Sequence, residues 1–155
     1  MKYRLLREEE LEPLQEEFLK YLLVANITPE NWGILKRNKL KESQEHLEVF
    51  SDMVLDKILS EVNYVDIVLE NRVEVYHFMQ EQVYLFSIEN KILDSFDSKK
   101  NDWSTLDLKT SNLVKGKKAY IREKNEEIFE LLNRPHAFIS SGMLYKKIAL
   151  LSVGA

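Results

Sequence analysis

Cysteine is absent from this chain of 155 residues, and that one absence removes disulfides, thiol nucleophiles and thiolate metal sites together. Proline and glycine are scarce, at three and four residues, so a loop-dominated or low-complexity chain is excluded. Histidine occurs only as His46, His77 and His136. No two of them stand at His-x-x-x-His spacing, which rules out the helical zinc-hydrolase motif. A Gly-x-Ser-x-Gly elbow is missing too, so a serine hydrolase is not suggested. Lys115-Gly116-Lys117-Lys118 lacks the first glycine of a phosphate-binding loop, because position 111 is Ser111. Long apolar runs are also lacking. Residues 21–25 form the longest near the N-terminus, far short of the roughly 20 that a membrane span needs. The opening Lys2, Arg4 and Arg7 lead into three glutamates with no apolar segment of a signal peptide between them. The expectation is a cytoplasmic protein without a membrane-embedded part.

What is present is an ordinary soluble composition, 45% hydrophobic and 31% charged, at the length of one domain able to bury its own core. A single compact domain over residues 1–155 is therefore expected. The net charge of −4 is unevenly spread. Residues 1–108 hold 13 basic and 22 acidic side chains (−9), and residues 109–155 hold 9 and 4 (+5). Opposite signs in the two parts mean either mutual attraction within one fold or a basic end that meets an anionic partner.

Apolar periodicity sketches the elements. Residues 43–62 form the strongest pattern, a long helix capped by Ser43 with Leu47, Phe50, Val54, Ile58 and Val62 on one face and Glu45, Glu48, Asp52 and Asp56 on the other. Residues 8–25 predict an earlier helix, interrupted or started late by Pro13. Thr28-Pro29 predicts the start of a short helix carrying Trp32. Residues 64–69 fit either a continuation of the long helix or a strand, and the helical reading is taken. Residues 73–79 and 83–88 predict an antiparallel hairpin with Tyr76, Phe78, Tyr84 and Phe86 as an aromatic face; residues 92–96 offer a third strand. A polar loop is expected over 97–116, with a helical turn around 103–108. A pair of helices is expected over 117–152, the first ended by Arg134-Pro135 and the second starting after Ser140-Ser141-Gly142. The fold class is thus α+β: a helical part over 1–69, a β part over 73–96 holding a hairpin or a three-stranded meander, the loop, and the helix pair.

Several short segments carry a resemblance. They are Met1-Lys2-Tyr3-Arg4, Ile27-Thr28 with Trp32, Phe50-Ser51-Asp52 with Lys57, Glu127-Ile128-Phe129-x-Leu131-Leu132, and Ala137-x-Ile139-Ser140-x-Gly142-x-Leu144. In these the chain resembles a family of short Bacteroidota proteins classed as a domain of unknown function, over nearly its whole length. The resemblance implies no activity, cofactor or site. Arg7 stands where the family pattern implies a Thr cap.

Three functional readings follow, in order of preference. The first is a non-catalytic protein-binding or adaptor domain. Its partner surface would be drawn from Glu45, Glu48, Asp52 and Asp56 on one side and Lys115, Lys117, Lys118, Arg122, Lys146 and Lys147 on the other. The second is nucleic-acid binding by those basic residues with Lys124, set against the interspersed Glu123, Glu126, Glu127 and Glu130. The third is a metal-dependent enzyme using Asp52, Asp56 and a histidine. No catalytic residue, metal ligand or cofactor is assigned.

Overall fold

The computed structural model of the chain describes residues 1–89 and 113–154. The strand expected at 92–96 and the helical turn at 103–108 lie outside the described residues. The fold is α+β, and the chain falls into two compact units, Met1–Ile58 and Leu59–Ala155.

The first unit is helical. Helix α1 (Glu8–Leu11) passes through a 3-10 turn (Glu12–Leu14) into α2 (Gln15–Val24). Pro13 sits in that turn, where its missing N–H and fixed φ interrupt the α-helix. Arg7 is the residue before α1 and makes no side-chain cap. Helix α2 ends in a Schellman motif. Asn26 takes φ 61°, and the N–H groups of Ile27 and Asn26 donate to the carbonyls of Leu22 and Leu23. Helix α3 (Pro29–Asn38) starts as expected, with the Thr28 hydroxyl accepting from Asn31 N–H.

The long helix α4 (Leu40–Ser60) begins three residues before the expected Ser43 cap. Ser43 is instead buried in its first turn and donates back to the Leu40 carbonyl at 2.8 Å. The buried stripe is also rotated. Phe50, Ser51, Leu55 and Leu59 are buried, whereas Ile58 is 47% exposed. The i, i+4 row of Ser51, Leu55 and Leu59 is buried, while on the expected row Val54 is half-buried and Ile58 exposed. Ser51 Oγ accepts the Leu6 N–H at 3.0 Å, which ties the N-terminal residues to the helix.

The second unit is an antiparallel five-stranded sheet, order β4-β3-β2-β1-β5. Its strands are β1 (Tyr64–Val68), β2 (Arg72–Phe78), β3 (Gln82–Glu89), β4 (Leu113–Ala119) and β5 (Ala137–Ser140), with α5 (Lys124–Leu132) and α6 (Met143–Gly154) completing the unit. Residues 64–69 are therefore not helical: Tyr64 to Val68 pair with β2 on one side, and Tyr64 to Ile67 with β5 on the other. Residues 113–119, expected as loop and helix, form the strand β4. The first C-terminal helix starts at Lys124, and β5 lies between the two.

Helix α6 packs on the face formed by Val73, Val75, Phe86 and Ile88, burying Leu144 and Ile148. Helix α5 covers the other face near β1 and β5 and buries Ile128. Since Phe78 pairs with Val83 and Tyr76 with Leu85, strand alternation places Tyr76 and Phe78 on the α5 face and Tyr84 and Phe86 on the α6 face. The expected single aromatic face is thus divided between the two sides. The register of the turn at Gln80-Glu81 decides this, since one residue of slip inverts every side chain.

Candidate functional site

The acidic members of the expected partner surface do not form an open patch. Glu45 is exposed and Glu48 half-buried, but Asp52 accepts the backbone N–H of Lys2 at 2.7 Å and of Tyr3 at 3.0 Å. Asp56 accepts the Tyr3 hydroxyl and pairs with Lys2 Nζ at 3.4 Å. Burial, and then that bond to Asp56, push the Tyr3 phenol up to about 12. The carboxylates of α4 therefore hold down the N-terminal residues. Two of the segments that carry the family resemblance, Met1 to Arg4 and Phe50 to Asp52, meet at this clamp.

The histidines do not join them. His46 Nδ1 shares a 2.9 Å hydrogen bond with the Tyr21 hydroxyl, and its ring meets Trp32 edge-on. His77 stacks on Tyr64 with ring centres 4.4 Å apart and meets Tyr145 edge-on. Burial, then the charges of Lys124 and Lys146, lower its pKa. His136 is an exposed turn residue with φ 65°. Among the described residues no three His, Asp or Glu side chains are placed to hold a metal ion.

The basic residues separate into three situations. Arg122 pairs with Glu130 at 3.3 Å. Lys146 lies over the Tyr64 ring at 5.5 Å, and Lys147 is half-buried on the same helix. Lys115, Lys117 and Lys118 stand exposed along β4, which is an edge of the sheet among the described residues. An edge strand presents backbone N–H and C=O groups that no neighbouring strand uses.

Beside that edge lies a groove of about 550 Å³ on the α5 face. Tyr76, Phe78, Val83 and Leu85 make its floor, Glu127, Glu130, Leu131 and Arg134 of the α5 region its far wall, and Gly116, Lys117 and Lys118 its β4 rim. Gly116 pairs with Leu85, and a Cβ added there would meet no atom within 4 Å. The missing side chain is what leaves the groove open towards the sheet edge.

Both ends of the groove are fixed by polar bonds. At one end Glu74 accepts the Tyr76 hydroxyl at 2.9 Å and pairs with Arg134 at 3.5 Å and Arg72 at 3.6 Å. Burial, then Glu74, push the Tyr76 phenol up to about 12. At the other end Tyr120 donates to the Met79 and Gln82 carbonyls and stacks on Phe78. Glu127 accepts the N–H groups of Ile121 and Arg122 at 2.9 and 3.2 Å. Burial alone would raise its pKa, but those two donors and the charges of Lys118 and Arg122 outweigh it, and the pKa is lowered. At neutral pH every shifted group lining this groove is held in its ordinary charge state.

Sequence reasoning singled out the three lysines but missed the floor and Arg134. The signal for the groove was available only through the β2–β3 register. A second cleft of about 660 Å³ lies within the helical unit, lined by Phe18, Leu22, Trp32 and Leu47 among others. Neither cavity is lined by a histidine. The structure has no helix long and apolar enough to cross a membrane among the described residues.

Comparison with curated proteins and with solved structures finds no match in either. Residues 1–152 match the model of the Family of unknown function (DUF6495), and the chain belongs to that family.

Proposed function

We propose that the protein is a non-catalytic binding domain of the bacterial cytoplasm that takes an extended segment of another protein along the β4 edge, with side chains entering the adjoining groove. The observation that carries this reading is the juxtaposition of an exposed strand, an edge of the sheet among the described residues, with a 550 Å³ groove whose floor is apolar and whose rim at Gly116 is open. Strand addition draws affinity from main-chain hydrogen bonds and specificity from pockets for alternate side chains. Both parts of that mode are represented. The one hydroxyl bonded to a carboxylate at the groove among the described residues, Tyr76 on Glu74, has its pKa pushed up to about 12 and stays protonated at neutral pH, so binding is better supported than catalysis.

The test is selection from a random-peptide library followed by mapping of amide shifts. The expected outcome is a set of binders whose largest shifts fall on residues 113–119 and on Val83 and Leu85. Binders that shift only the helical unit, or no binders at all, would overturn the reading.

A further inference from the structure

We infer that the segment bound at β4 is acidic, with carboxylate side chains at alternate positions over Lys115 and Lys117 and an apolar side chain beside Gly116. This rests on the strand-addition reading above and specifies its partner.

The pattern follows from the pleat. In β4, Leu113, Lys115, Lys117 and Ala119 point to one face, and Val114, Gly116 and Lys118 to the other. A strand laid on the edge alternates in the same way, so its residues on the first face stand against two lysines and those on the second stand beside the open groove. Lys115, Lys117 and Lys118 make no ion pair among the described residues, while Arg122 and Arg134 are matched by Glu130 and Glu74. Lys118 has the Glu127 carboxylate near it, which leaves Lys115 and Lys117, on one face of the strand, as the charges complementary to a negative strand. A second copy of this chain is disfavoured as occupant, because two β4 edges would bring lysines against lysines. Nucleic acid is disfavoured by Glu127 and Glu130 on the same groove.

The probe is an end-blocked, fluorescein-labelled peptide of about eight residues, a strand's length, alternating Glu and Val. Its controls are the same peptide with Lys for Glu and a labelled oligothymidine. The full chain is titrated at low and high salt and followed by anisotropy and amide shifts. The acidic probe is expected to bind with shifts on β4, and to weaken several-fold as salt screens the lysines. The Lys115→Glu/Lys117→Glu variant should weaken it about tenfold, the sum of two exposed charge contacts. Gly116→Val, which adds its Cβ into empty space, should keep the fold and weaken the probe while leaving its salt dependence unchanged.

Equal binding of the Lys peptide, or shifts away from β4, overturns the inference. So does tighter binding of the oligonucleotide that the double variant abolishes. If the random library yields β4 binders without acidic alternation, this inference fails and the strand-addition reading stands; if it yields none at β4, that reading itself fails.

Discussion

Asp66 is a carboxylic side chain whose placement carries a cost. It lies on the central strand β1, 2% exposed, and its Oδ1 has no hydrogen-bond partner among the described residues. Burial raises its pKa to about 6, with the Ser140 hydroxyl opposing the shift. The folded pKa thus stands above the ordinary value of 3.8, so the folded state takes up a proton before the unfolded chain does as pH falls. Stability rises as pH drops through about 6, is fully gained below the unfolded value, and is lower at neutral pH by about 3 kcal/mol at 1.36 kcal/mol per unit. Urea titrations at pH 7.5, 5.5 and 4.0 check this. Asp66→Asn should be more stable than the parent at pH 7.5, should keep the larger part of that difference at pH 5.5, and should lose most of it by about pH 4, near the unfolded value. Two glycines make a second residue-scale contrast. Gly142 has φ 84°, and an added Cβ would lie 2.5 Å from the Tyr64 ring, so Gly142→Ala should cost about 2 kcal/mol or more through backbone strain and overpacking. Gly116 has neither restriction, and Gly116→Ala should be neutral or stabilising by about 0.5 kcal/mol. Equal midpoints of denaturation for the two variants would contradict the assigned roles.

At the scale of elements, the acidic side of α4 acts as a clamp. Asp52 accepts two successive backbone N–H groups and Asp56 a phenol and an ammonium. Asp52→Ala leaves the Lys2 and Tyr3 amides to water. It should cost about 1–2 kcal/mol and speed amide exchange of residues 2–6 ahead of the rest of the helical unit; exchange unchanged there would disprove the clamp. The sequence made α4 legible through its apolar spacing, and α3 through Thr28-Pro29, but it could not place the N-terminal residues against Asp52, which are 49 and 50 positions away along the chain. The same limit explains β1. Val62, Val65 and Leu69 continue the α4 stripe at helical spacing, while the turn at Glu70-Asn71 lacks the glycine that marks a tight hairpin. Strand β4 was hidden for the opposite reason. Leu-Val-Lys-Gly-Lys-Lys-Ala is poor in strand formers because an edge is blunted by lysine rather than filled with apolar side chains. Of the candidate site, the lysines were therefore legible by charge, and the groove floor was not, since its membership depends on a register that composition does not reveal.

For the whole molecule, the charge asymmetry takes on a definite location. Of the basic side chains after residue 108, Lys115, Lys117 and Lys118 stand exposed on one sheet edge among the described residues, the first two on one face of the strand and the third on the other. That edge has two properties in tension. Its backbone groups, unused by any strand among the described residues, would accept another strand, including another β4, and an edge of Val or Ile in the same place would promote edge-to-edge association. Lysine removes that outcome by like-charge repulsion while leaving the backbone groups available to a strand of opposite sign. Replacing Lys115 and Lys117 by valine should therefore leave folding stability within about 0.5 kcal/mol, since neither makes an ion pair among the described residues. The same change should introduce concentration-dependent self-association in sedimentation velocity. The parent chain, tested at matched concentration, should sediment without that dependence at low salt and acquire some of it at high salt, where screening weakens the repulsion between edges. A valine variant that sediments like the parent at every concentration would show that the lysines do not guard the edge, and would remove the physical ground for assigning β4 a partner of opposite charge.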